Sequence, residues 1–210
     1  MVKLLRNLVA TMFLGLLGSP IAQAAEQDFL SIDRYSPPLT GKYLVASPEL
    51  TDPNFHHAVI YVVHHDDQGT MGLVINQLMA EGPVGKLLEA FGIEGDPSSQ
   101  AQVKMHFGGP VDPGSSLVLH RNDYKNDTTT EIGNHLALSS SDDVLADLAL
   151  NQGPDESLLI LGYAGWGANQ LEDEITSGAW YVVDAEDTLL FDDDMTTKWQ
   201  RAMALRGFEL

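Results

Sequence analysis

Cysteine is absent from all 210 residues, which excludes a disulfide framework, a thiolate metal site, a cysteine nucleophile and a lipid-modified N-terminal cysteine. Positive charge is scarce as well. Only 11 Lys and Arg stand against 30 Asp and Glu, a formal net charge of −19. Duplex affinity rests on cations that neutralise phosphates, and nothing here gathers them into a basic stripe, so no direct nucleic-acid partner is expected. Anionic lipid surfaces are disfavoured on the same ground. Hydrophobic residues still make up 44%, enough for one domain of ordinary composition to bury a core without staples.

What is present begins with an address. Lys3 and Arg6 precede an apolar run from Leu8 to Leu17, and Gly18-Ser19-Pro20 and Ala22-Gln23-Ala24 follow. This is the three-part layout of a secretory signal peptide, and the run is about half the roughly 20 residues that a permanent membrane helix needs. Cleavage after Ala24 is expected, which leaves a periplasmic or secreted chain, more acidic still and without a stable membrane anchor. Residues 25–40, with Pro37-Pro38, read as a tail or linker. The packed domain is expected over 41–210.

From Gly41 onward, short strands alternate with isolated helices. Tyr43 to Ser47 and Ala58 to His64 read as strands, and Asp66-Asp67-Gln68-Gly69 supplies hairpin-turn chemistry before a partner strand at Met71 to Asn76. Val84, Leu87, Leu88 and Phe91 recur at helical spacing after Pro83 and before Gly92. Val103, Met105 and Phe107 alternate with Lys104 and His106, which predicts a strand with one buried face. Ser116 to His120, Ser157 to Tyr163 and Trp180 to Val183 are further strands. Helices are predicted from Ser140, with Asp143 as its capping partner, and from Asn169, with Glu172 in the same role. A last helix opens at Asp194 or Thr196, places Met195, Trp199, Ala202 and Met203 on one side, and closes at Gly207. Hairpin-length links between strands favour an α+β fold, largely antiparallel, over a doubly wound one.

Candidate chemistry is sparse. His56-His57 and His64-His65 flank one strand, but eight extended residues span roughly 26 Å, far beyond two metal-ligand bonds, and adjacent histidines point to opposite faces. A metal would need partners such as His106 or His120 from other strands, and none is assigned. The segment Leu161-Gly162-Tyr163-Ala164-Gly165-Trp166-Gly167 stands between a strand and a helix, where a phosphate loop would lie. No Lys follows it, and Glu172, Asp173 and Glu174 would repel a phosphate. Ala164 also stands where a nucleophile elbow would carry serine. A tight backbone turn, with Trp166 as a wall, is the expectation. Asp192-Asp193-Asp194 lacks the spaced ligands of a calcium loop. No cofactor is called for.

Several blocks together carry a resemblance. They are Leu44-Val45-Ala46-Ser47-Pro48 with Asp52-Pro53-Asn54-Phe55, then Gly69-Thr70-Met71-Gly72-Leu73-Val74-Ile75-Asn76, then Gly108-Gly109-Pro110-Val111 with Leu119-His120. Gly162-Tyr163-Ala164-Gly165-Trp166 with Gln170-Leu171-Glu172, Glu174-Ile175 and Ala179-Trp180 complete the series. In this order the chain resembles the YqgE/AlgH family of bacterial proteins over Gly41 to Leu210. The resemblance implies an α+β fold with a partly barrel-like central sheet, to which the predicted elements add about four flanking helices, and no established reaction. One branch is named as a regulator of alginate synthesis and described as transcriptional, and family members are mostly cytoplasmic. Gln77 is a departure, because the family commonly carries Lys after the Asn.

Two classes of function follow. The first is a non-catalytic binding or regulatory protein for an unknown protein or small-molecule ligand, motivated by dense motifs without a complete catalytic set. Its site is placed around Asn76, Gly108, Gly109, His120, Gly165, Trp166 and Gln170. The second is a hydrolase-like enzyme with His56 or His120 as general base and a carboxylate orienter. A cytoplasmic transcriptional regulator is the further alternative.

Overall fold

A computed structural model describes residues 39–133 and 135–207. The expected signal peptide, and the tail up to residue 38, lie outside the described residues. Ten strands run β1 (Lys42–Ala46), β2 (Val59–Asp66), β3 (Gly69–Val74), β4 (Leu78–Pro83), β5 (Gln102–Phe107), β6 (Val111–Arg121), β7 (Thr130–Ile132), β8 (Leu136–Ser140), β9 (Ser157–Gly167) and β10 (Trp180–Asp184). Five helices are interspersed among the described residues: α1 (Val84–Phe91), α2 (Ser141–Ala149), α3 (Gln170–Thr176), α4 (Asp187–Leu190) and α5 (Lys198–Ala204). The fold is α+β, and the short α4 is the helix beyond the expected four.

The main path of the sheet is β10-β1-β2-β3-β9-β6-β8-β7, with β5 joined to β9 alongside it and β4 paired to β5. Every pairing is antiparallel except β5 with β9. The long β9 is what curls the sheet. Its first half pairs with β5 and β6 and its last residues pair with β3, so one strand turns a corner between two groups of strands.

Burial follows the pleat. In β2, Val59, Tyr61 and Val63 face one core with Tyr43, Leu73, Leu119 and Ile160, while Ile60 and Val62 face a second core with Leu44, Val74, Trp166 and Trp180. Successive side chains of a strand point to opposite faces, so a strand covered on both sides reads as a continuous apolar run. The first core is closed by α4 and α5 through Leu189, Leu190 and Ala202, and the second by α3 through Leu171. A third core joins α1 and α2 to the other side of β5, β6 and β9 through Val84, Leu88, Val144, Leu145, Val103, Val118 and Leu159. At about 1.5–3 kcal/mol for each fully buried aliphatic side chain, these clusters are the main stabilising term.

Several local expectations need correction. The glycine-rich segment 161–167 is not a turn before a helix but the second half of β9. Neither Ser140 nor Asn169 makes a side-chain cap. Gln170, the first residue of α3, instead turns its Oε1 back to accept the amide of Gly167 at the end of β9, at 3.1 Å. In β5 the buried residues are Val103 and His106, with Met105 and Phe107 only partly covered, so the simple alternation fails. Leu39 is packed into the second core.

Candidate functional site

The motif residues separate into three places. At the corner of β9, Gly108, Gly109 and Gly162 let two backbones touch. The Gly108 amide donates to Leu161 O at 2.7 Å, and Gly108 O accepts the Val74 amide at 3.0 Å. A Cβ on Gly108 would strike the Gly162 carbonyl, and one on Gly109 would strike the Tyr163 carbonyl. Gly109 and Gly162 also hold φ of 148° and 67°, conformations that L side chains rarely adopt. Asn76 lies just past β3, close by. Its Oδ1 accepts the Val59 amide and its Nδ2 donates to His57 O, each at 2.8 Å. It thereby fixes His57, which sits at φ 54°, at the entry to β2.

The second place is the end of β9. Trp166 and Trp180 meet edge to face at 5.9 Å between ring centroids, and Phe55 stands 6.4 Å from the first and 5.6 Å from the second. Both indole N–H groups donate to one oxygen, Oε2 of Glu174, at 2.9 and 2.8 Å. The other oxygen accepts from Gln170 Nε2 at 3.0 Å. Glu174 is thus the hub that satisfies two largely buried indoles. The sequence counted it among many acids, and nothing local marks it. Gly165 is exposed and pairs with Met71.

The third place is His120, 0% exposed. Its Nε2 lies 2.8 Å from Ser139 Oγ and its Nδ1 lies 2.6 Å from Arg121 O, and burial pushes its pKa down. A serine beside a histidine has the elements of a nucleophile and base, but Ser139 is 1% exposed. No substrate carbonyl reaches such a pair. The imidazole's nitrogens contact a hydroxyl and a carbonyl, and no carboxylate hydrogen-bonds to it. The seven expected site residues therefore fall in three places of the fold.

The remaining candidates are equally dispersed. His56 and His57 stack at 3.9 Å, and His57 stacks on Trp199 at 4.0 Å, whereas His64 pairs with Asp66 and His65 with Thr70 and Glu172. The three aspartates take three separate tasks. Asp192 holds Arg201 through both oxygens at 2.7 and 2.9 Å, Asp193 pairs with Lys104, and Asp194 accepts the Thr196 and Thr197 amides ahead of α5. Among the described residues, no three His, Cys, Asp or Glu side chains are grouped to hold a metal.

His106, which the alternation in β5 would turn outward, is 0% exposed, with neither ring nitrogen in a hydrogen bond. Burial, with Lys198 adding to it, pushes its pKa down to about 4. Backbone groups at Leu159 and Lys104 oppose this without meeting hydrogen-bond geometry. Lys198, also 0% exposed, donates to Leu190 O at 3.0 Å, and burial pushes its pKa down to about 8.

One surface feature is left unspent by the fold. A groove of about 720 Å³ runs along β10, lined by Ile175, Trp180, Tyr181, Val182, Met203 and Arg206 among others. Within the sheet β10 pairs with β1 and lies at the end of the strand order. Ile175 belongs to α3, on the second-core side, and Met203 to α5, on the first-core side. The groove therefore straddles a sheet edge that is open among the described residues. Arg206 lies 3.4 Å over the Tyr181 ring.

Comparison with known proteins fits this fold. A family model described as AlgH-like matches residues 43–210. A UPF0301 protein of Methylococcus capsulatus is 40% identical over 171 residues, covering 81% of this chain and 93% of its own length. One from Jannaschia is 42% identical over 173 residues, covering 81% and 90%. The solution structure of the AlgH protein from Pseudomonas aeruginosa superposes with a TM-score of 0.68 at 38% identity, covering 83% of this chain and 92% of that one. A crystal structure from Corynebacterium diphtheriae, 21% identical, shares the fold with a TM-score of 0.62 over 83% and 90%. None of these names carries a reaction.

Proposed function

We propose, starting from the premise that this chain belongs to the AlgH-like family, that it is a non-catalytic binding protein whose ligand lies in the groove along β10. The observation that carries this reading is a division of labour. Gly108, Gly109, Asn76, Trp166, Gln170 and His120 are consumed by backbone contacts and satisfied hydrogen bonds, while the β10 groove combines open backbone, apolar walls and a cation. Concave apolar surface with a few polar groups is what ligand recognition uses. The base and orienter that hydrolysis needs are not assembled at His120.

We further propose that the protein is exported and acts after cleavage behind Ala24, on the strength of the leader's layout. Among the described residues no helix is long and apolar enough to cross a membrane. Native mass spectrometry of untagged protein from periplasmic and cytosolic fractions of its host tests both proposals. A periplasmic species beginning at Ala25 with additional bound mass, lost on Trp180→Ala, is expected. A full-length cytosolic species overturns export, and turnover of a defined substrate overturns the binding role.

A further inference from the structure

The groove's chemistry narrows its occupant, on the reading that it is the binding site. Ser47 N donates to Ala179 O at 2.9 Å and Ala46 N donates to Ala58 O at 2.9 Å. Backbone direction alternates along a strand, so residues 43, 45 and 47 turn toward β10 and residues 44 and 46 toward β2. With Tyr43 opposite Val183, Val45 opposite Tyr181 and Leu44 opposite Val182, the amides and carbonyls of Tyr181 and Val183 are spent on β1. Those of Val182 and Asp184 face the open edge. Val182 is 37% exposed, although it is β-branched and lies within a strand. A strand edge with unpaired groups is a template for another strand.

The walls fit the alternating side chains of such a strand. Ile175 and Trp180 stand on one face, and Tyr181, Met203 and Arg206 on the other. Arg206 makes no ion pair among the described residues, in a chain where acids far outnumber cations. Its guanidinium is exposed and oriented by the Tyr181 ring, a geometry suited to a carboxylate. A second copy of this chain would be a poor occupant. Across β10 it would bring Asp184, which Lys42 already holds, together with a net charge of −19 against itself.

We propose that the β10 edge takes up an extended segment of a partner polypeptide as an added strand, with apolar side chains toward Trp180 and a carboxylate side chain on Arg206. Backbone bonds supply affinity in this mode and the side-chain pockets supply choice. Two acetylated decapeptides serve as probes, each alternating valine with threonine between terminal Gly-Ser pairs, one with a central glutamate and the other with glutamine there. The expected results are slowed hydrogen exchange at the Val182 amide and about tenfold tighter binding of the glutamate peptide.

Two variants separate the parts. Val182→Pro removes an outward amide that the β1 ladder does not use, which an edge strand tolerates, so both peptides should be lost with thermal stability retained. Arg206→Ala should equalise the two peptides while the Val182 amide stays protected. If Val182→Pro fails to fold, exchange at Val182 and the Arg206→Ala comparison decide. Absence of binding by either peptide, binding without Val182 protection, or a dimer broken by Val182→Pro overturns the proposal. Host-derived protein that keeps its bound mass in the Val182→Pro variant leaves the binding role standing and sinks the added strand alone. Bare protein with substrate turnover sinks the binding role itself.

Discussion

His106 shows what one misplaced polarity does to a fold. Its imidazole is buried against Lys198, with Lys104 also near enough to disfavour a proton, and it holds a pKa of about 4. The unfolded chain titrates near 6.5 and so takes up the proton first. The native state therefore has its full stability above about pH 6.5 and loses it as pH falls toward 4, by up to about 3 kcal/mol. Lys198 adds no slope there, because its pKa of about 8 leaves it protonated in both states. His106→Leu should reduce the slope of the stability profile between pH 4 and 6.5 in urea titrations at several pH values, leaving the share of His120, whose pKa burial also pushes down; an unchanged slope would assign the acid limb to other groups. Gly109 makes the steric counterpart. Gly109→Ala places a Cβ into the Tyr163 carbonyl at φ 148° and should cost about 3 kcal/mol or more, read as a lower denaturation midpoint. A loss below about 1 kcal/mol would mean that the β9 corner relaxes freely.

At the scale of elements, one carboxylate of α3 holds two indoles of the sheet. Glu174→Ala leaves the indole N–H groups of Trp166 and Trp180 without their acceptor, and an orphaned buried donor costs about 1–3 kcal/mol. Unfolding should become easier by about 2–4 kcal/mol, with a red-shifted tryptophan emission in the native state as water enters. Emission and stability like those of the parent would show that another group replaces Glu174. This hub was not legible in the sequence, because its partners lie six and eight residues away and its meaning depends on where β10 runs. The β2–β3 hairpin and α1 were legible, since a continuous β-branched run in β2, turn chemistry after Asp66, and a helical spacing that stops at Gly92, which takes φ 70°, are all local signals. β4 was not. Its residues Leu78 to Glu81 are exposed, so no alternation betrays it, and Pro83 suits an edge. The second half of β9 reads as a turn in the sequence because glycines that let strands meet look, one residue at a time, like glycines that make turns. The expected site residues meet the same limit: motif residues that serve long-range backbone contact carry no mark in the sequence that separates them from residues that touch a ligand.

For the molecule as a whole, the governing quantity is a net charge of −19. Ion pairs such as Arg121 with Glu156 and Asp187, and Arg201 with Asp192, lie at partly exposed positions and contribute about 0–1 kcal/mol each. Most carboxylates have no cation to meet, since 30 acids share 11 bases, and their mutual repulsion opposes the compact state. Salt screens both effects, with a Debye length of about 10 Å at 0.1 M against about 30 Å at 0.01 M. Repulsion summed over many acids acts at long range and is the more strongly screened. Raising sodium chloride from about 10 to about 300 mM should therefore raise the melting temperature by about 2–5 °C. A lower melting temperature would show instead that the few ion pairs outweigh the many repulsions, with the Arg121 triad the first to test by Arg121→Gln. The same imbalance bears on the groove. Because the surrounding field is negative, a carboxylate bound at Arg206 is held by short-range contact against long-range repulsion, so salt should weaken the glutamate peptide less than it would an isolated surface pair.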